Sequence, residues 1–298
     1  MGSSRRSKSA VDKKRAHEGA PQLLSSAHQL FRRLKDVNVK AAMSEERKRP
    51  SITRSPLYEN LSLPVSEAFC DWDISDASSI LGGQGERQKC GRCGRSRMWF
   101  CYGCMIPLES LRAVLPKVKL PFRIDIIRHA HEAAGRSTGI HAAILSEDVH
   151  IHTYPDIPEY DPCRTVLIFP DGEATFESIR ATERQTVCPV CGNLHQAFPY
   201  DRIVFVDCCW TQTRRIILDE RISALHNRVG LKGRISLFWR PQRTRNPDHL
   251  ATIEAIHQAC SVWLLSQKCQ RPHRVDNLLF FFKYMYDKIS NRYRESEH

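Results

Sequence analysis

The chain has 298 residues and a formal net charge of +12. A chain of this length can bury a full hydrophobic core, and an excess of basic residues favours a polyanionic partner such as a nucleic acid. No apolar run approaches a membrane span and no secretory signal is present, so we expect neither a membrane protein nor a secreted one, and no obligate protein partner.

Most of the positive charge lies in a tail that we assign to residues 1–50. This tail holds thirteen Lys and Arg against five Asp and Glu, a net +8. Residues 1–19 are rich in Ser and charge, which is typical of disorder, whereas apolar residues at helical spacing favour a short helix at 22–37. The basic clusters Arg5–Lys8 and Lys13–Arg15 are consistent with a nuclear localisation signal, with electrostatic contacts to RNA, or with a solvent-exposed tail that has neither role. We expect a nuclear location, with the cytoplasm as a second compartment.

A pair of cysteine motifs follows residues 51–88, which we assign to a linker with some helix. The four cysteines are Cys90, Cys93, Cys101 and Cys104. Two Cys-x-x-Cys pairs this close together are typical of a structural zinc site with four thiolate ligands. Free or redox-active cysteines are the alternative. We therefore predict a small zinc ribbon at 89–108.

Four short apolar runs, each followed by polar residues, predict strands that alternate with helices. The runs lie at 123–127, 164–169, 202–206 and 234–239. This alternation predicts an α/β fold, a mostly parallel sheet with flanking helices, in which ligands bind beyond the carboxyl ends of the strands. The polar clusters that we expect to meet on one rim are Arg128–Glu132, Pro170–Glu173, Asp207–Trp210 and Arg240-Pro241.

The cluster after the third run is the leading candidate for a functional site. Asp207 follows the run, and Trp210 precedes a segment, Thr211–Glu220, that we read as a helix. A carboxylate can take a proton, and an indole ring can stack on a base or close over a cofactor. We interpret the intervening Cys208 and Cys209 as small buried hydrophobic residues.

Another Cys-x-x-Cys pair, Cys188-Pro-Val-Cys191, has no partner pair nearby. His195 follows four residues later, but a metal ion there needs a further ligand from elsewhere in the chain. We therefore favour a turn in the connection between two strands. No pattern assigns a role to the isolated cysteines Cys70, Cys163, Cys260 and Cys269.

Two helices are predicted towards the C-terminus. Asn246-Pro247 is a favourable N-cap and first-turn pair, and it predicts a helix from there to about Gln267. Asp276 can cap the next helix, whose continuous apolar run Leu278–Phe282 must be largely buried. We interpret this aromatic run as core and not as a stacking platform.

In order and spacing, these motifs resemble the DTW-domain family, the tRNA-uridine aminocarboxypropyltransferases, and especially its eukaryotic members. The matching elements, between about Cys90 and Ile289, are His129-x-x-Glu132, Arg136–Gly139, Ile168–Asp171, Asp207-x-x-Trp210, Phe238–Arg240, Leu250–Ile256 and Asp276–Tyr286. Cys209 departs from the family's signature, which usually has Thr before the Trp. We assign the segment 109–292 to the DTW catalytic domain.

The resemblance implies a SPOUT-like fold whose C-terminal part threads a trefoil knot that binds S-adenosylmethionine. It implies transfer of the 3-amino-3-carboxypropyl group of that donor to N3 of a tRNA uridine, at the twentieth nucleotide in the D-loop. Asp207 is then the general base and Trp210 packs on the cofactor or the flipped base. The residues implied in cofactor binding are His129, Glu132, Arg136, Ser137, Thr138, Pro170, Asp171, Arg240 and Glu254.

Each candidate also has a purely structural interpretation, and two other functions stay open. His129 can cap the turn after its strand, Asp171 can form a tight turn with Gly172, and Glu254 can pair with a surface Lys or Arg. The alternatives are a SPOUT-like RNA methyltransferase that uses the same donor, and a non-catalytic zinc-ribbon protein that binds RNA. The products separate the two enzymes, and turnover on tRNA excludes the binding protein.

Overall fold

A computed structural model describes residues 65–83, 85–132, 135–170, 172, 174–239 and 249–296 of the chain. The predicted tail at 1–50, its helix at 22–37 and the first part of the predicted linker, 51–64, lie outside these residues. Asp171 and Arg240, two of the predicted cofactor ligands, lie outside them as well.

The first described elements are two short helices and two small antiparallel hairpins. They are α1 (Val65–Ala68), α2 (Ala77–Leu81), β1 (Gln88–Lys89), β2 (Ser96–Arg97), β3 (Phe100–Cys101) and β4 (Ile106–Pro107). Helix α2 begins where the Asp76 carboxylate accepts a hydrogen bond from the Ser78 N–H at 2.9 Å, as expected of an N-cap. The pairs β1–β2 and β3–β4 each carry two of the four paired cysteines.

The central elements follow in alternation. They are β5 (Arg123–His129), α3 (Gly139–Leu145), β6 (Val149–Tyr154), β7 (Thr165–Ile168), β8 (Ala174–Thr175), β9 (Gln185–Val187), β10 (Leu194–Gln196), β11 (Arg202–Asp207), α4 (Trp210–Ile217), α5 (Glu220–Ser223) and β12 (Arg228–Gly230). Six strands form one sheet in the order β6-β5-β11-β7-β12-β8, and every neighbouring pair is parallel. The predicted α/β fold with a parallel sheet is confirmed.

Both faces of this sheet are covered, which is why its central strands are almost continuously apolar. Ile124 and Ile126 face one hydrophobic cluster, which also contains most of the C-terminal helices. Ile127 faces a second cluster with Val204 and Ile216. Helices therefore pack on the two sides of the sheet.

The strand predicted at 234–239 is wrong, and the strand that pairs with β7 is β12 instead. The Leu237 N–H donates to the Glu254 carboxylate at 2.8 Å, and the Ser236 hydroxyl donates to the same group at 2.6 Å. In a strand, the Leu237 N–H would donate to the carbonyl of a neighbouring strand. Here the buried Glu254 side chain accepts that hydrogen bond instead. Trp239 packs on Phe282 with the rings 5.1 Å apart and is buried, as is Ser236, whereas Ile235 is 60% exposed. The segment is therefore only partly buried, and it is not a strand.

The C-terminal helices are α6 (Thr252–Ser266) and α7 (Phe280–Ser296), and a 3₁₀ segment, Pro272–Leu279, leads into α7. The predicted helix start at Asn246 lies outside the described residues, residues 249–251 are not helical, and α6 begins at Thr252. The Glu254 side chain accepts from the Ala251 N–H at 2.8 Å. Asp276 does not cap α7. It lies inside the 3₁₀ segment and contacts His257 at 2.7 Å.

The apolar run at the start of α7 is fully buried, as predicted. Phe281 packs on Phe100 of β3 with ring centroids 4.9 Å apart, and Tyr284 packs on Trp99 at 5.2 Å. The cysteine-bearing hairpins therefore rest on the same helix that closes the core. No helix among the described residues is long and apolar enough to cross a membrane.

Candidate active site

The described residues of three of the four predicted polar clusters lie side by side at the carboxyl ends of the central strands. Asp207 of β11 is in register with Arg128 of β5, and Phe205 of β11 is in register with Ile168 of β7. The clusters that follow these strands therefore share one edge of the sheet, where parallel α/β folds bind ligands. The fourth cluster, at Arg240, lies outside the described residues.

Asp207 is the point at which three distant segments meet. Its Oδ1 accepts a hydrogen bond from the Thr252 hydroxyl at 2.7 Å, and its Oδ2 accepts one from the Ser137 hydroxyl. Gly139 packs so closely that a Cβ there would stand 3.3 Å from Oδ2. The carboxylate thus holds the end of β11, the start of α3 and the start of α6 together.

The surroundings of Asp207 have opposing effects on the pKa of its carboxyl group. Burial raises its pKa, while the hydroxyls of Ser137 and Thr252 and the charge of Arg128 lower it, and the net pKa lies above the usual value. A carboxylate with a raised pKa is a stronger base than an exposed one. The side chain is 6% exposed, so only a small group can approach it.

Arg128 brings a positive charge to the same place. Its Nη2 donates to the Thr153 hydroxyl at 3.3 Å. Its Nη1 is buried and has no hydrogen-bond partner within the part of the chain that the structure describes. A guanidinium with an unused donor fits a carboxylate or phosphate group of a ligand.

Glu132 and His129 organise the turn after β5. The Glu132 carboxylate accepts the N–H of Cys209 at 3.2 Å, which ties this turn to the end of β11. The His129 Nδ1 accepts the N–H of His131 at 3.2 Å, so the side chain caps its own turn. Burial lowers the pKa of His129, and the positive charges of His131 and Arg215 lower it further.

Trp210 is a partly exposed aromatic residue at the first position of α4. It is 38% exposed, an unusual state for a large apolar side chain at a site rim. Its ring lies 4.5 Å from that of His249 and 6.2 Å from that of Phe169. Pro170, next to Phe169, is exposed at the same rim. The indole can therefore stack on a planar ligand.

The two cysteines beside Asp207 differ from each other. Cys208 is half-buried, and burial raises the pKa of its thiol to about 12, which makes it a poor nucleophile. Cys209 is exposed, so its interpretation as a buried hydrophobic residue is wrong. It is the N-cap of α4, a position that faces solvent, and its side chain makes no capping hydrogen bond.

The loop before α3 contributes two buried hydroxyl groups and one exposed charge. Ser137 and Thr138 are buried, whereas Arg136 is exposed. The Thr138 hydroxyl oxygen accepts the N–H of Ile253 at 3.3 Å. Both hydroxyls are thus engaged with the protein, and their part in cofactor binding stays a prediction.

Glu254 lies behind this site. It is fully buried and accepts from Ser236, Leu237 and Ala251. Its charged neighbour is Arg234, 3.8 Å away and only 13% exposed. The alternative interpretation, a pair with a surface cation, is therefore wrong. Burial raises the pKa of Glu254, and the arrangement fixes the start of α6 from which Thr252 reaches Asp207.

The four paired cysteines converge at the base of the two small hairpins. Their sulfur atoms all lie within 4.8 Å of one another, and those of Cys93 and Cys101 are 3.6 Å apart. A tetrahedral zinc ion holds two thiolates about 3.8 Å apart. Burial raises the pKa of Cys101, but the Cys104 N–H and the Arg97 guanidinium outweigh it and lower the pKa to about 6. The donor set fits a structural metal ion.

Sequence reasoning missed two residues that the fold places at important points. Thr252 binds Asp207 across 45 residues of sequence, and a single hydroxyl leaves no recognisable pattern. Cys269 has no motif around it, yet its sulfur lies with the ligand atoms of Cys188, Cys191 and His195, all within 4.8 Å. Only the tertiary structure brings these groups together.

Comparison with known proteins links this geometry to one family. The DTW domain family matches residues 98–290. A protein from Xenopus tropicalis named tRNA-uridine aminocarboxypropyltransferase 1 is 34% identical over 237 residues, covering 69% of this chain and 80% of that protein. Proteins of the same name from Homo sapiens and Pongo abelii are 36% identical over 242 residues (70% and 79% of the two chains) and 33% over 296 residues (88% and 93%). No solved structure matches the chain.

Proposed function

The chain belongs to the DTW domain family, and from that membership we propose that it is a tRNA-uridine aminocarboxypropyltransferase. It transfers an aminocarboxypropyl group to a uridine in tRNA, as the names of its relatives state for them. The observation that carries the proposal is the family's own Asp and Trp at the end of a central parallel strand, where Asp207 accepts hydrogen bonds from two hydroxyls and the positive charge of Arg128 lowers its pKa against the effect of burial. The net charge of +12 supports a polyanionic substrate.

The donor that we infer is S-adenosylmethionine. When bound, it supplies an electrophilic γ-carbon on a sulfonium group that departs as 5′-methylthioadenosine without an acid. The buried, unpartnered Nη1 of Arg128 supports this assignment, because the donor's amino-acid end carries a carboxylate. Glu132 accepts one backbone hydrogen bond through one oxygen, and its second oxygen suits the donor's amine.

Asp207 is the general base in this mechanism. N3 of uridine is a weak nucleophile until its proton is removed, and a positioned carboxylate can remove it. Each oxygen of Asp207 accepts one hydroxyl hydrogen bond, which leaves a lone pair on each for the substrate proton. Ser137 and Thr252 hold the carboxylate in one orientation, so that proton transfer needs no rearrangement of the side chain.

Trp210 and its neighbours shape the entrance to Asp207. Asp207 is only 6% exposed, so a uridine must leave a stacked helix to bring its edge to this carboxylate. The exposed part of the Trp210 ring supplies a stacking surface at the rim. Of the other residues implied in cofactor binding, Ser137 contacts Asp207, and Arg136 and Pro170 are exposed. His129 and Thr138 bind backbone N–H groups of the protein. The contacts of all these residues with the donor, and those of Glu254, Asp171 and Arg240, stay predictions.

Three further features belong to the proposal. Cys90, Cys93, Cys101 and Cys104 hold a structural zinc ion, which their sulfur distances and the nearby Arg97 support. The return of α6 to the end of β11 supports a SPOUT-like arrangement, and the knot stays a prediction. The D-loop uridine and the nuclear location stay predictions too.

The released product separates the proposed function from both alternatives. Full-length protein is incubated with S-adenosylmethionine and unmodified tRNA, and the small molecules are analysed by chromatography. We expect 5′-methylthioadenosine in proportion to the modified uridine. S-adenosylhomocysteine in its place means a methyltransferase, and tRNA binding without either product means a non-catalytic protein.

A further inference from the structure

A second group of metal-ligating side chains lies away from the sheet edge and away from the four paired cysteines. Cys188, Cys191 and His195 stand on the β9–β10 hairpin, and Cys269 follows α6. Their ligand atoms all lie within 4.8 Å of one another. The Cys191 sulfur is 3.5 Å from the His195 Nε2, and a tetrahedral zinc ion holds a thiolate and an imidazole nitrogen about 3.5 Å apart.

The turn in this hairpin has the same backbone geometry as the turn that begins at Cys90 in the first cysteine cluster, which consists of Cys90, Cys93, Cys101 and Cys104. In the turns that begin at Cys90 and at Cys188, the cysteine carbonyl accepts the N–H of the glycine four residues later, at 2.8 Å in both. That glycine, Gly94 or Gly192, has a φ of 68° or 84°, in the left-handed region that favours glycine. The N–H of the first cysteine donates to the carbonyl five residues on, at 2.9 and 2.8 Å. The two turns present their thiols alike.

The fourth ligand is positioned by the end of α6. The Cys269 N–H donates to the Leu264 carbonyl at 2.9 Å, and Lys268 just before it has a φ of 52°. The residue is 7% exposed, so its sulfur points into the protein. The Arg274 Nη1 donates to the Val190 carbonyl at 3.2 Å and ties this segment to the hairpin turn.

The strands of this hairpin gain little stability from apolar burial, although Val190 in the turn between them is 3% exposed. Of the six residues in β9 and β10, five are exposed, and the paired Val187 and Leu194 are 62% and 63% exposed. Isolated two-stranded hairpins are marginal in water. A bound metal ion supplies folding free energy where a core is lacking. A metal ion bound by these four side chains would therefore stabilise the β9–β10 hairpin.

We propose that Cys188, Cys191, His195 and Cys269 form a second structural zinc site. All four tetrahedral positions are filled by protein, which is typical of structural and not of catalytic zinc. The site fastens the C-terminal end of α6 to the β9–β10 hairpin. The hydroxyl of Thr252, at the other end of the same helix, donates a hydrogen bond to Asp207. The ion therefore anchors the helix that supplies one of the two hydroxyl contacts of this carboxylate. The preference for a metal-free turn at Cys188–Cys191 is thereby reversed, because Cys269 supplies the missing ligand.

Metal counting by native mass spectrometry of the full chain tests this site without reference to turnover. We expect two zinc ions in the parent protein and one in Cys269→Ala. The matched control is Cys260→Ala, a buried cysteine on α6 outside both clusters, which should keep two. His195→Cys preserves four ligands and should also keep two ions, whereas His195→Ala should bind the second ion more weakly.

An equal metal count in Cys269→Ala and the parent overturns the proposal, as does a disulfide among Cys188, Cys191 and Cys269 in protein purified with its metals. If Cys269→Ala does not fold, the parent decides: two zinc ions support the site and fewer overturn it. Loss of the second ion leaves the assignment of the transferase reaction untouched, because the count does not depend on the substrate.

Discussion

The site around Asp207 and the two cysteine clusters differ in how far apart in sequence their contacting residues lie. At the rim, a buried carboxylate is held by hydroxyls that stand 70 and 45 residues away in sequence. In the clusters, most ligands come in pairs three residues apart, on hairpin turns of shared geometry. The rim depends on the whole fold, whereas each cluster depends mainly on local turns. The difference predicts that damage to one region spares the properties of the other.

The largest expected effect is that of Asp207→Asn on the rim. The substitution keeps the shape of the side chain and removes the base, so we expect the rate constant to fall by about 10²–10⁴-fold. Zinc content and binding of S-adenosylmethionine should be retained. Single-turnover rates, elemental analysis and calorimetry measure these quantities. An unchanged rate at neutral pH means that Asp207 is not the base, and Glu132 becomes the next candidate.

The pH dependence sharpens the same test. Burial raises the pKa of Asp207, so kcat/KM of the parent should rise with pH as the carboxyl ionises, and Asp207→Asn should lack that rise. A carboxyl whose folded pKa is raised contributes stability at low pH and loses it as pH rises through the folded pKa. At neutral pH the variant should therefore melt no lower than the parent. A marked drop in its melting temperature contradicts this account of the burial.

The converse experiment is Cys101→Ser, which is expected to act on stability. Cys101 is fully buried in the first cluster, and neighbouring Phe100 packs on Phe281. Loss of one ligand should remove one zinc ion and lower the melting temperature, because metal binding contributes folding free energy. At low temperature, turnover should fall far less than in Asp207→Asn. Cys163→Ser, at an exposed cysteine, is the control. Metal-free protein with an unchanged melting curve contradicts a structural role.

Trp210→Ala should have an intermediate effect, on binding more than on the chemical step. Stacking of a base on an aromatic side chain is worth about 1–3 kcal/mol, so KM for tRNA or for the donor should rise by about one to two orders of magnitude. Trp210→Phe keeps an aromatic ring and should recover most of the loss. Separate titrations of donor and tRNA identify the ligand that stacks. A fall in kcat with both KM values unchanged argues against stacking.

The smallest effect is expected for Cys209→Thr, which restores the residue usual in the family. Cys209 is an exposed N-cap without a side-chain capping bond, and Thr is a good N-cap. We expect a small rise in melting temperature, equivalent to about 0.5 kcal/mol, and little change in turnover. Thermal unfolding and steady-state rates measure both. A large loss of activity means that the thiol itself takes part at the rim.

The two regions also differ in how far the sequence alone predicts them. The convergence of Cys90, Cys93, Cys101 and Cys104 and three of the six strands of the sheet follow from local spacing and apolar runs. The strand predicted at 234–239 is wrong because the Ser236 hydroxyl and the Leu237 N–H bind the Glu254 carboxylate and Trp239 packs on Phe282, in place of pairing with a strand. Thr252 and Cys269 were missed because their partners are distant in sequence, and only packing of α6 brings them near.

Labelled S-adenosylmethionine tests the central claim most directly. The donor is labelled either in its methyl group or in its aminocarboxypropyl group, and nucleosides from the treated tRNA are analysed by mass spectrometry. We predict aminocarboxypropyl label on uridine with the parent protein, and about 10²–10⁴-fold slower labelling with Asp207→Asn. Methyl label on the tRNA, or equal labelling rates by the two proteins, contradicts the account.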